Sequence, residues 1–133
     1  MLGLLIVSHS EDAARGIAQI AAQMAGENVV ILGVGGDDEG GLGVSVMKIF
    51  DALSQLLTRA GSILVIPDMG SSVLSSCSAV EMLAPDDAAN VVIVDAPILE
   101  GAVLAAVEAS CGAPLEQVIE TAKAARNLEK MNR

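Results

Sequence analysis

Leu2-Gly3-Leu4-Leu5-Ile6-Val7-Ser8-His9-Ser10-Glu11-Asp12 decides the fold. Six residues without a charge, closed by a polar cluster, read as a strand buried on both faces. A helix start follows at once: Ser8 and Glu11 have the spacing of a capping box. That spacing predicts Ser8 as the cap and His9 in the first helical turn, where backbone N–H groups lack partners. His9 is the only histidine of the chain. It therefore stands at the carboxyl end of a strand and at the positive end of a helix dipole. An imidazole exchanges protons near neutrality and is nucleophilic; beside an anion-friendly helix start it points to phosphate chemistry.

The same alternation runs outward through the chain. Glu11–Met24 is predicted helical, with Ile17, Ala18, Ile20, Ala21 and Met24 on its apolar face and Gly26 as its stop. Val29–Val34 reads as a second strand, then Gly35–Gly41 as a flexible polar loop. Val44–Arg59 is the second helix and Ile63–Ile66 the third strand, ended by Pro67. Asp68-Met69-Gly70-Ser71-Ser72 turns into a helix over Val73–Leu83, broken by Pro85-Asp86-Asp87. Val91–Val94 is the fourth strand. Helices over Leu99–Ser110 and Pro114–Leu128 follow, and Glu129–Arg133 is a polar tail expected to fray.

Uniformly apolar strands separated by helices imply parallel pairing through crossovers. The expected fold is a single α/β domain over residues 1–133, a small doubly wound parallel sheet of strand order 2-1-3-4 with helices on both faces. In that order the chain reverses direction after the first strand. The crevice then lies between the carboxyl ends of strands 1 and 3. His9 follows the first and Asp68 the third, so the topology brings them to one rim. There the Asp68 carboxylate is expected to accept from one imidazole nitrogen, leaving the other free to attack. Ser10, Gly70, Ser71 and Ser72 are the expected phosphate contacts.

Composition removes several function classes. Seventeen acidic against seven basic residues give a net charge of −10, a field that repels nucleic acid and anionic membranes and suits a basic protein partner. Phe50 is the only aromatic, so stacking on bases or a flavin is not expected. Cys77 and Cys111 match no metal or redox spacing, and the expectation is no metal, no cofactor and reduced thiols in the cytoplasm. Asp95 and Glu100 interrupt the best candidate for a membrane span. No basic region precedes the first apolar stretch, so a signal peptide is not expected. No Gly-Lys-Ser or Gly-Lys-Thr occurs, which argues against the glycine-rich loop as a nucleotide cradle.

Val7-Ser8-His9-Ser10, Asp68-Met69-Gly70-Ser71, Glu81-Met82-Leu83-Ala84-Pro85 and Ala96-Pro97-Ile98-Leu99-Glu100-Gly101 resemble, in order, the phosphotransfer subunit of phosphoenolpyruvate-dependent dihydroxyacetone kinase. That group belongs to the mannose-type IIA family of the sugar phosphotransferase system. The sugar-transport members carry a strand-3 turn rich in Phe and Gly, so Asp68-Met69-Gly70-Ser71 favours the kinase branch. The resemblance implies that His9 accepts a phosphoryl group from the phosphocarrier HPr on its distal ring nitrogen. It implies transfer to ADP held by the nucleotide-binding kinase subunit, a homodimer, and Asp68 as the orienting carboxylate. Some members are fused to HPr-like and enzyme-I-like domains; the donor expected here is a separate protein. Val44 stands where the family often has Thr, with Ser45 as the neighbouring hydroxyl. Two other readings remain open: a IIA component serving a sugar permease, and a non-catalytic regulatory domain that binds a small ligand.

Overall fold

The computed structural model describes residues 1–131. Four strands, β1 (Leu2–Ser8), β2 (Val29–Gly35), β3 (Ser62–Pro67) and β4 (Val91–Ile93), form one sheet. All pairings are parallel and the order is β2-β1-β3-β4, as expected. The helices are α1 (Glu11–Met24), α2 (Val46–Leu57), α3 (Gly70–Glu81), α4 (Pro85–Ala88), α5 (Ile98–Ser110) and α6 (Leu115–Ala124), followed by a single 3-10 turn at Ala125–Asn127.

The absence of polar residues inside β1 and β3 is explained by two cores. Alternate side chains of a strand point to opposite faces. Leu4, Ile6, Leu64 and Ile66 pack beneath α1, α5 and α6, with Ala21, Ala105 and Val118 among their neighbours. Leu5, Val7, Ile63 and Val65 pack beneath α2 and α3, against Ile49, Leu53, Leu56 and Ala79. Those eight strand residues are wholly buried, each contributing about 1.5–3 kcal/mol relative to exposure. Helices therefore cover both faces.

Boundaries shift where local rules met tertiary contacts. α3 begins at Gly70 rather than Val73, because no residue before it resists helical φ. Pro85 does not only break α3; it opens the short α4 as its first residue, where its missing N–H has no partner to lose. The last helix ends at Ala124, and Ala125–Asn127 tightens into the 3-10 turn. Ile20 and Met24, expected inside, are 44% and 56% exposed; the small Ala14 and Ala21 instead face the sheet. Of the tail expected to fray, Lys130 reaches Glu100 at 2.9 Å, while Asn132 and Arg133 lie outside the described residues. Among the described residues no helix is long and apolar enough to cross a membrane.

Register places the functional residues. Val7 pairs with Pro67, and Ser8 pairs with Gly35 on the other side. One step beyond Pro67, Asp68 stands level with Ser8 at the carboxyl edge of the sheet.

Candidate phosphoryl-transfer site

The site is built where β1 and β3 end side by side. Asp68 donates its backbone N–H to the Val7 carbonyl at 3.0 Å, which continues the ladder past the strand. Its carboxylate then gathers donors from two elements. Ser8 Oγ donates to Oδ2 at 2.7 Å, the His9 backbone N–H donates to the same oxygen at 3.2 Å, and Ser72 Oγ donates to Oδ1 at 2.6 Å. Partial burial pushes the Asp68 carboxyl upward, but the bonds from Ser72, Ser8 and the His9 and Met69 backbone outweigh it. The net direction is downward, so the group stays ionised and acts as a fixed anion.

Two details depart from the sequence reading. First, Ser8 does not cap α1. It remains in β1, and its hydroxyl accepts from the Ser10 N–H at 3.1 Å while donating to Asp68. Ser10 is the cap, accepting from the Ala13 N–H at 3.2 Å. His9 therefore precedes the helix instead of lying in its first turn. Second, Asp68 holds the backbone of His9, not its ring. Nδ1 of His9 is buried and has no partner among the described residues. Of the two ring nitrogens, Nδ1 is thereby shielded from an incoming group.

The expected phosphate contacts divide in the same way. The Ser72 hydroxyl is committed to Asp68 and the Ser10 hydroxyl to the helix cap. Gly70 and Ser71 are exposed at the start of α3. The cap position there, Met69, makes no side-chain bond, and the first turn carries no acid. Beside it, a cleft of about 430 Å³ opens between the ends of β3 and β4, lined by Asp68, Met69, Gly70, Val73 and Asp95 among others. It lies one strand over from the expected crevice, on the outer side of Asp68.

The glycine-rich loop departs from the flexibility expected of it. It is a defined turn rather than a slack segment. Asp37 Oδ1 accepts from the backbone N–H groups of Glu39 and Gly41 at 2.9 and 2.7 Å. Those bonds hold the Asp37 carboxyl below its usual range. Gly43, with φ of 141°, donates its N–H to the His9 carbonyl at 2.8 Å. His9 is thus gripped on both sides of its α-carbon, by Asp68 and by Gly43. Ser45 is the α2 cap, accepting from Lys48 N–H at 3.2 Å and donating to Asp38, so it does not supply the hydroxyl that a Thr at position 44 would. Gly35 was also missed: a Cβ there would stand 2.5 Å from the Ser8 carbonyl oxygen and 2.6 Å from that of Ser10. Only glycine lets β2 approach this backbone. The signal was present, in a glycine closing an apolar strand. Among the described residues no group of three or more His, Cys, Asp or Glu is arranged to hold a metal.

The family profile of the PTS system fructose IIA component, EIIA-man, matches residues 3–119. The chain belongs to this family. It is 32% identical over 120 residues to the dihydroxyacetone kinase 2 phosphoryl donor subunit DhaM of Listeria innocua, covering 90% of this chain and 95% of that one. It is 37% identical to the phosphoryl donor subunits DhaM of Providencia stuartii and Escherichia coli, over 94% and 90% of this chain. The chain spans about a quarter of the length of those two relatives, 27% and 26%. A crystal structure of a protein of unknown function matches with a TM-score of 0.82 and 36% identity, covering 92% of each chain. Within the EIIA-man family, the chain is therefore similar to proteins named as phosphoryl donor subunits of dihydroxyacetone kinase, the branch to which its strand-3 turn pointed.

Proposed function

We propose that the protein is a phosphohistidine carrier for a dihydroxyacetone kinase. It takes a phosphoryl group from HPr on His9 and passes it to ADP bound on the kinase's nucleotide-binding subunit. The observation that carries this reading is the burial of Nδ1 in a histidine whose N–H and C=O are both held. Attack requires the Nε2 lone pair, which the tautomer carrying its proton on Nδ1 leaves free. That pair forms the N–P bond while the donor's N–P bond breaks and its electrons return to the donor ring. In the second transfer a β-phosphate oxygen of ADP attacks phosphorus, the P–Nε2 bond breaks, and the pair returns to His9. A loose phosphoryl transition state asks for position and charge stabilisation above all. The uncapped N–H groups of Gly70 and Ser71 are the chain's own donors for that charge. The chain's net negative charge favours donors that bring basic residues to the rim. The working state proposed is a cytoplasmic homodimer.

Incubation with enzyme I, HPr and phosphoenolpyruvate is expected to add one acid-labile phosphoryl group, seen by intact mass. His9→Ala is expected to acquire none; labelling that persists removes His9 from the role. Addition of ADP-loaded kinase subunit is expected to discharge the wild-type label. Discharge to a permease-associated IIB protein instead would assign the chain to sugar transport.

A further inference from the structure

Ser72 holds a place at the rim that helix formation does not explain. It is wholly buried, yet it is polar and sits in the first turn of α3, where solvent lies close. Its hydroxyl points back four residues, to Oδ1 of Asp68 at 2.6 Å. The other carboxylate oxygen is held by Ser8, which is 2% exposed. Two buried hydroxyls, one from β1 and one from α3, thus grip the two oxygens of one carboxylate. Neither hydroxyl is needed for burial, since an alanine would satisfy the core more simply. Asp68, in turn, touches the residue that carries the chemistry, through the His9 N–H.

We infer that Ser72, with Ser8 opposite it, is a positioning residue for phosphoryl transfer, fixing the Asp68 carboxylate so that the His9 backbone is held in the attacking position. The inference rests on the proposed carrier role. A carboxylate on a single-bonded Cβ turns about χ2 with little preference. Held from one side only, it would swing toward solvent and release the His9 N–H. Held from both sides it has one orientation, and His9 inherits it. The Ser8 hydroxyl adds a second link, because it also receives the Ser10 N–H and so ties α1 to the same anion. A misplacement of the nucleophile by a fraction of an ångström is enough to slow a transfer that depends on alignment.

The test uses the whole chain and four proteins: wild type, Ser72→Ala, Asp68→Asn and the double variant. Ser72→Ala is expected to lower the maximal rate of phosphorylation by HPr about tenfold, the loss of one charge-assisted hydrogen bond, with KM for HPr unchanged. In the Asp68→Asn background the same change is expected to have no further effect, since Ser72 acts through the carboxylate. A rate for Ser72→Ala equal to wild type, or an equal fall in both backgrounds, would overturn the inference. Amide hydrogen exchange at His9 gives a readout that needs no phosphoryl donor: Ser72→Ala is expected to speed it, and an unchanged rate counts against the clamp. If wild type takes no phosphoryl group while His9 exchange still responds to Ser72, the carrier reading fails and the clamp stands. Should Ser72→Ala fail to fold, Ser72→Cys, close in size and a weaker donor, is expected to show the same pattern at smaller amplitude; wild-type behaviour from it would overturn the inference.

Discussion

Of the helices that start at the carboxyl edge of the sheet, the two that follow β1 and β3 start differently. α1 is closed: Ser10 accepts the Ala13 N–H, and Glu11 and Asp12 fill the first turn with negative charge. α3 is open: Met69 makes no side-chain cap and no acid follows it. Both ends have the same dipole and the same unpaired N–H groups by construction. Only α3 leaves them available to an anion. The dipole argument at His9 pointed to α1, the helix it precedes. The carrier role proposed above puts the receptive end at the neighbour, with α1 as the support for the histidine.

The backbone packing differs too, and glycine substitutions break the comparison most sharply. At Gly35 a methyl group would strike the Ser8 and Ser10 carbonyl oxygens. Gly35→Ala is expected to lose about 3 kcal/mol of stability by denaturant titration, with phosphorylation of His9 lost alongside. Gly70 has nothing within 4 Å of its Cβ direction. Gly70→Ala is expected to lie between neutral and about 1 kcal/mol more stable, with phosphorylation retained, since an N–H remains. Equal losses at the two positions would mean that the α3 end is packed as closely as the α1 end.

Charge probes the open end next. Ser71→Asp places a carboxylate where the proposed phosphoryl group sits. It is expected to slow phosphorylation about tenfold while leaving thermal stability unchanged or slightly raised, because an acid suits a helix start. Asp12→Asn at the closed end is expected to change the rate little. A response at Asp12 exceeding that at Ser71 would return the anion to α1.

The legibility of the molecule follows the same division. Strand order was readable because the signals were simple: the interiors of β1 and β3 lack polar residues, and helices intervene between all strands. Convergence of His9 and Asp68 then followed from the reversal of the chain after β1. What stayed hidden were contacts between residues distant in sequence. Ser8 has a cap's spacing to Glu11, but pairing with Gly35 keeps it in the strand and Asp68, 60 residues away, takes its hydroxyl. Local rules rank caps well and cannot weigh a competing carboxylate. The glycine loop was misread for a related reason: its order comes from Asp37, and its importance from one N–H donated to His9.

Ser10→Ala isolates the cap. Removing the Ala13 contact is expected to cost about 1 kcal/mol of stability with the transfer rate near wild type, measured by denaturation and by HPr-driven labelling. A large fall in rate with full stability would restore Ser10 as a phosphate ligand.

The smallest effect expected is a pH dependence of stability arising from Asp68. Its donors hold its carboxyl below the ordinary value of 3.8 in the folded protein. A carboxyl depressed on folding contributes stability above its unfolded pKa, and that contribution disappears as pH falls through the folded value. The unfolded state then binds the proton first, so acid favours unfolding. Asp68→Asn removes the titrating charge while keeping an acceptor for one hydroxyl. Wild type is therefore expected to be the more stable of the two at neutral pH, and the gap is expected to close below about pH 4. Because Asp68 stands at an exposed rim, solvent screening keeps the gap small and salt narrows it further. A gap for Asp68→Asn that persists unchanged to pH 3 would show that shape, rather than charge, holds the rim together.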